Sequence, residues 1–380
     1  MIAAVMLAML AMPVSAGTVV THSVTEGYKV SIPPAMTVGV AGDISISGLI
    51  DTKTQVNVSV KSANNWNLVL SDHELPYYLK DDDAGERVSP KNVLLVQAGS
   101  IGTKKLNATL DGVNPKYRGN YVDTLTFTVT QEAIDGSELI HSYDKLMTFI
   151  NDAPTDGSEV KALLISDIVV DENITIIISN GKNITLDLNS HTLSSTNTRT
   201  ATHNFFIDVN GGTLTVQDGT ISYEHTGDNM GWNGAATVID VTAGGVLNME
   251  GVTVKINDKT DMNFAVHLNN WGEVTLNADN CVFDAPYCGV RVFNSGYDMN
   301  NVKITNSKLT GKTRAFWVHN YIGDLNSAQH SDDAIKARLN IDIYNNNNEF
   351  SITGTAVSPI RYGFGTTVYF DKESGYEVTP

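Results

Sequence analysis

Three segments in the second half of the chain superpose without gaps in their centres: Gly212-Thr-Leu-Thr-Val-Gln-Asp-Gly-Thr-Ile221, Gly245-Val-Leu-Asn-Met-Glu-Gly-Val-Thr-Val254 and Gly272-Glu-Val-Thr-Leu-Asn-Ala-Asp-Asn-Cys281. A fourth, Asn301-Val-Lys-Ile-Thr-Asn-Ser-Lys-Leu309, matches from its second residue, and the aligned positions Leu214, Leu247, Val274 and Val302 are 33, 27 and 28 residues apart. Each unit also holds an earlier strand-like run: Phe205–Val209, Thr237–Val241, Phe264–Leu268, Cys288–Val292 and Arg314–Val318. Self-similarity at this period constrains the fold more than any composition does, because a repeat that cannot bury its own apolar side chains must stack on its neighbours. Three short strands per repeat predict a parallel β-helix over 154–380, with coils about 4.8 Å apart around one dry core. Of 36 Asn, 28 lie from Asn151 onward. Asn tolerates left-handed backbone at tight corners and can hydrogen-bond to an Asn one coil away. The run Asn345 to Asn348 therefore reads as a polar turn.

Ahead of the repeats the period changes twice. From Tyr28 to Gln131 the chain alternates with period 2, as in Gln55–Lys61, Asn67–Leu70, Val93–Val96 and Tyr121–Thr130, separated by Gly, Asn and Asp turns. This predicts a β-sandwich over 17–132. Between 133 and 153, Leu139, Tyr143, Leu146, Met147 and Ile150 fall at spacings of three and four before Pro154, which predicts a linker and a short helix. A helix there would cover apolar side chains at the first coil. The opening residues 1–16 form an apolar run ending Val14-Ser15-Ala16, the small-x-small form of an export signal, although Lys and Arg are missing from its start. The expected localisation is extracellular or at the cell surface. No later run nears the roughly 20 apolar residues of a spanning helix, so membrane insertion is not expected.

A net charge of −17 repels nucleic acid and anionic lipid, which are bound through clustered Lys and Arg. Two cysteines, Cys281 and Cys288, cannot make a disulfide scaffold or a Cys-based zinc site. Alternation places both inward, as a buried thiol pair rather than a bridge. No metal or other cofactor is expected, and Asp81-Asp82-Asp83 with Glu86 does not have EF-hand spacing.

The segments Ile174-Thr-Ile-Ile-Ile178, Asn183-Ile-Thr-Leu-Asp-Leu-Asn-Ser-His-Thr-Leu193 and Gly212-Thr-Leu-Thr-Val216 resemble the pectate-lyase-like right-handed β-helix domains of Gram-positive, Clostridia-type cell-surface proteins. Ser190 stands where that family carries Gly. More weakly, Val30-Ser-Ile-Pro33 and Asn120–Val129 look like the Ig-like modules of such proteins. The resemblance covers about Leu146 to Asp371 and implies a fold and a surface location rather than a reaction.

The Asn-Thr-Asp, Asp-Asp, His-Gly and Arg-x-Lys series of polygalacturonases is absent, and Asp332-Asp333 sits in a polar loop. Alternation along the first strand of each coil instead gives an outward column of Asp208, Asp240, His267, Arg291, His319 and Arg361, with Trp317 and Tyr321 flanking His319. Exposed aromatics beside charges suit sugar stacking, with Trp317 dominant; the plainer alternative is a solvated salt-bridge ladder. The expected function is therefore a monomeric, non-catalytic adhesin or stalk that binds polysaccharide or a host or cell-surface glycan through Asp240, His267, Arg291, Trp317, His319 and Tyr321. The alternative is a polysaccharide lyase or hydrolase acting on acidic polysaccharide, with His267 as base and Arg291 neutralising a uronate.

Overall fold

The computed structural model describes residues 3–11, 20–23, 28–48, 51–88, 94–97, 102–113, 117, 119–199, 204–227, 236–258, 263–269, 272–294, 298–320, 339–343, 346–354 and 360–362. The chain is mostly β and divides into two units, Met1–Ser137 and Glu138–Pro380.

In the first unit every strand pairing is antiparallel. Alternation drives this: Thr54–Ser62 buries every second residue, as does His73–Asp81 from Leu75 on, so one face of each strand feeds a core of Ile44, Val58, Leu79, Leu125 and Phe127. Nine strands follow one hydrogen-bonded path and Ala3–Ala11 pairs off it, making a curled antiparallel sheet of ten. Asp123 ties the interior by accepting from the Ser62 and Tyr77 hydroxyls, each at 2.6 Å. Residues Ala3–Ala11, within the stretch that reads as an export signal, form a strand paired with Tyr121–Val129.

The second unit is a β-solenoid. The parallel ladder opens at Glu138–Ile140, before the helix, and passes to Glu159–Leu164, Asn183–Asp187, Thr213–His225 and onward. The helix spans Tyr143–Asp152, four residues shorter at its start than the apolar spacing suggested. Ser142 caps it by accepting from the Lys145 backbone N–H, and Leu146, Phe149 and Ile150 pack into the solenoid core. A broad sheet of thirteen strands makes two faces, and a seven-stranded sheet makes the third: Ile176–Ser179, Asn204–Asn210, Ala236–Thr242, Asn263–Asn269, Cys288–Asn294, Arg314–Asn320 and Ile360–Tyr362. Inside, Ile184, Leu214, Leu247, Leu276, Val302 and Ile341 stack in register from the broad sheet, opposite Ile207, Ile239, Val266, Val290 and Phe316. Burying each such side chain contributes about 2 kcal/mol. The corners use Asn as anticipated: Asn173, Asn189, Asn280, Asn306 and Asn347 have φ between 50° and 66°. Asn346 and Asn348 bind the carbonyls of Ile304, Asp342 and Ile343, while Asn345 lies outside the described residues.

In the seven-stranded sheet the ladder skips Phe206, Val238, Ala265, Gly289 and Ala315 at the same place on successive coils. Of these, Phe206, Val238, Ala265 and Ala315 are buried in the core directly beside Ile207, Ile239, Val266 and Phe316. This recurrent unpaired position breaks strict alternation without shifting the register, since each coil skips one residue. Phe264 and Cys288, expected inward, thereby pack with Trp317 in a separate small cluster, whereas Cys281 sits in the main core. Both thiols are free and buried, and burial raises the Cys281 thiol to about 11.

Candidate functional site

Strand register settles which residues stack on the outer side of the seven-stranded sheet. The column runs Ile177, Asp208, Asp240, His267, Arg291, Trp317, Arg361. Trp317, not His319, follows Arg291. His319 pairs with Phe293, one step along, and Tyr321 lies outside the described residues. The column is not the exposed platform, nor the solvated ladder, that alternation suggested. Asp240 is 2% exposed, His267 and Arg291 7%, and Trp317 1%. Trp317 is thus packed away and offers no open indole face.

What the burial encloses is a charge stack. His267 Nδ1 lies 2.7 Å from Asp240 Oδ1, an acid–imidazole pair whose carboxylate fixes the ring. The Arg291 guanidinium carbon lies 4.9 Å from the Phe264 ring centroid, 5.2 Å from that of Phe293 and 5.3 Å from that of Trp317. Desolvated cation–π contacts of this kind contribute about 2 kcal/mol. Burial pulls the Arg291 guanidinium down to about 10, which leaves it charged at neutral pH. Phe264 stacks on the His267 ring at 5.6 Å and meets Tyr287 edge-on at 5.9 Å. Sequence reasoning placed Asp208, Asp240, His267, Arg291 and Arg361 in this column, put His319 where Trp317 stands, and missed Phe264 beside it, because strict alternation fails at the unpaired position.

Asp208 begins the charged run. Burial, and then the neighbouring Asp240 carboxylate, push its carboxyl up to about 6 against a donating contact from Asn210. A raised carboxyl weakens the folded state when ionised, so the penalty is absent below the unfolded value near 3.8 and complete above about 6. Asp208→Asn should therefore gain more stability at pH 7.5 than at pH 4, by about 1 kcal/mol after solvent screening of this partly buried group. Urea midpoints of both proteins at the two pH values measure this; equal gains would refute it.

The broad sheet carries a different arrangement, which single-strand alternation could not assemble. Its open side presents Thr215, Asn248, Asn277, Lys303 and Asp342 in one column, which continues into the buried Thr185, and Asp187, Gln217, Glu250, Asp279 and Thr305 in the next. Asn277 donates to Asn248 Oδ1 at 2.9 Å, and Asn248 to Thr215 Oγ1 at 3.3 Å. Asp279 accepts from the Thr305 hydroxyl at 2.5 Å and the Asn306 amide at 2.8 Å, which hold its carboxyl below the usual range. These columns line an open groove of about 490 Å³ running from Thr215 and Gln217 to Lys303 and Thr305. Among the described residues, no cluster of three or more His, Cys, Asp or Glu is placed to hold a metal ion. Among them, too, no helix is long and apolar enough to cross a membrane.

No family model, curated protein or solved structure matches this chain. Its function has to be argued from its own surface.

Proposed function

We propose that this is an exported, non-catalytic surface protein whose solenoid binds an extended glycan along the groove of the broad sheet. The observation that supports it most is the repetition of hydroxyl, amide and carboxylate groups from Thr215, Asn248, Asn277, Gln217, Glu250 and Asp279 on consecutive coils. Such groups can exchange hydrogen bonds with sugar hydroxyls, and their step of about 4.8 Å is comparable to that of an extended pyranose chain. The solenoid supplies a stiff scaffold for this row, and the first unit acts as a spacer or attachment module. On this reading the first unit is an Ig-like sandwich and the coils wind right-handed, the hand that parallel crossovers adopt. Removal of residues 1–16 on export belongs to the same proposal.

A second reading, a polysaccharide lyase, draws on the Asp240–His267 pair with Arg291 on the next coil. Burial of all three ranks it lower, because a polymer must reach the base.

A glycan array covering neutral, acidic and amine-bearing oligosaccharides, followed by titration, tests the proposal. Asn248→Ala with Asn277→Ala should weaken the best ligand at least about tenfold, the loss of one to two hydrogen bonds to sugar, with an unchanged circular dichroism spectrum. Unchanged affinity would move the site elsewhere. Turnover of an acidic polysaccharide, with or without calcium, would replace the non-catalytic reading with the enzymatic one.

A further inference from the structure

The charges around the groove narrow its ligand. Resting on the groove as the glycan site, we infer that it selects an amine-bearing glycan over a uronate-bearing one. Of the groups lining the groove, Glu250 and Asp279 are acidic and Lys303 alone is basic. Glu250 and Asp279 occupy paired positions on adjacent coils, which places two carboxylates about one coil step apart. Both are exposed, as are Asp342 at the far end of the neighbouring column and Glu273, which precedes the Val274–Asp279 strand outside the groove's lining. Glu273 accepts from the Asn301 amide at 2.8 Å, so its charge is fixed against the same sheet.

The hydrogen bonds from Thr305 and Asn306 keep Asp279 ionised in mildly acidic solution, where a sugar amine is protonated. A polymer lying over Thr215, Asn248 and Asn277 would carry its substituents past Glu250 and Asp279 within a Debye length of about 8 Å. A glycan carboxylate would meet like charges there, and an ammonium opposite ones. The net charge of −17 biases approach in the same direction. Lys303 marks where an acetylated or neutral residue is better accommodated than a free amine.

Calorimetric titration of the full chain at pH 6 with three hexasaccharides separates the outcomes: β-1,4-linked glucosamine, its fully N-acetylated form and oligogalacturonate. At low salt the free amine should bind about tenfold more tightly than the acetylated form, with the difference shrinking at 0.3 M NaCl. Glu250→Gln with Asp279→Asn should bring the ratio of the two affinities within about twofold, and a ratio still near tenfold would overturn the charge selection. Equal parental affinity for both, with Asn248→Ala and Asn277→Ala still weakening binding about tenfold, would overturn the charge selection and leave the groove standing. Tighter binding of oligogalacturonate would overturn it as well. Binding of none of the three would remove both the selection and the groove.

Discussion

Ile239→Asp should unfold the second unit at a far lower temperature than the parent, at a cost of about 4 kcal/mol or more. Ile239 is fully buried between Ile207 and Val266, and a carboxylate there has apolar side chains on the coils before and after it. Burying an unpaired charge is among the few single changes that exceed ordinary core truncations, and the residue responds by staying protonated or by opening the coil stack. The first unit has its own core and should keep its transition. Differential scanning calorimetry of the full chain reads both. An unchanged transition for the solenoid would contradict the inward placement of this column.

Asp240→Ala should cost about 3 kcal/mol, because it strips the buried His267 ring of a carboxylate 2.7 Å away while the Arg291 charge remains on the next coil. Asp240→Asn retains an acceptor and should cost less. The alanine variant also removes the charge that helps raise Asp208, so the Asp208 carboxyl should titrate closer to its ordinary range. That partial relief offsets some of the loss above pH 6. Urea unfolding across pH 4 to 8 would measure both effects, and a midpoint equal to the parent's at every pH would show that the pair contributes nothing.

The coil architecture was legible because apolar residues recur at a fixed period, and Asn marks corners that need left-handed backbone. Register was less so. A two-residue slip preserves alternation, so it leaves every inward residue inward and no face pattern detects it. Thus Val274 aligns with Leu247 in sequence, yet Leu276 pairs with Leu247 and Val274 pairs with Asn300. The same slip put His319 where Trp317 stands. Exposure of the charged column was misjudged for a different reason. Alternation states which side of a sheet a residue takes, and nothing about whether that side meets water. The unpaired position at Val238 and Ala265 was invisible too, since two consecutive apolar residues look alike whether one or both turn inward. The groove escaped notice because its members come from strands separated by about thirty residues and acquire meaning only in stacked register.

The parallel ladders among the described residues join coil to coil along the direction in which the coils stack, and so do the side-chain bonds from Asn277 to Asn248 and from Asn340 to Asn301. Tension applied along that direction would therefore pass through the coil junctions in series, each junction bearing the whole force. The unit would yield at its weakest junction and not at an average strength. Amide ladders on the outside strengthen the junctions they bridge without altering the interior, which gives Asn248, Asn277, Asn301 and Asn340 a mechanical role.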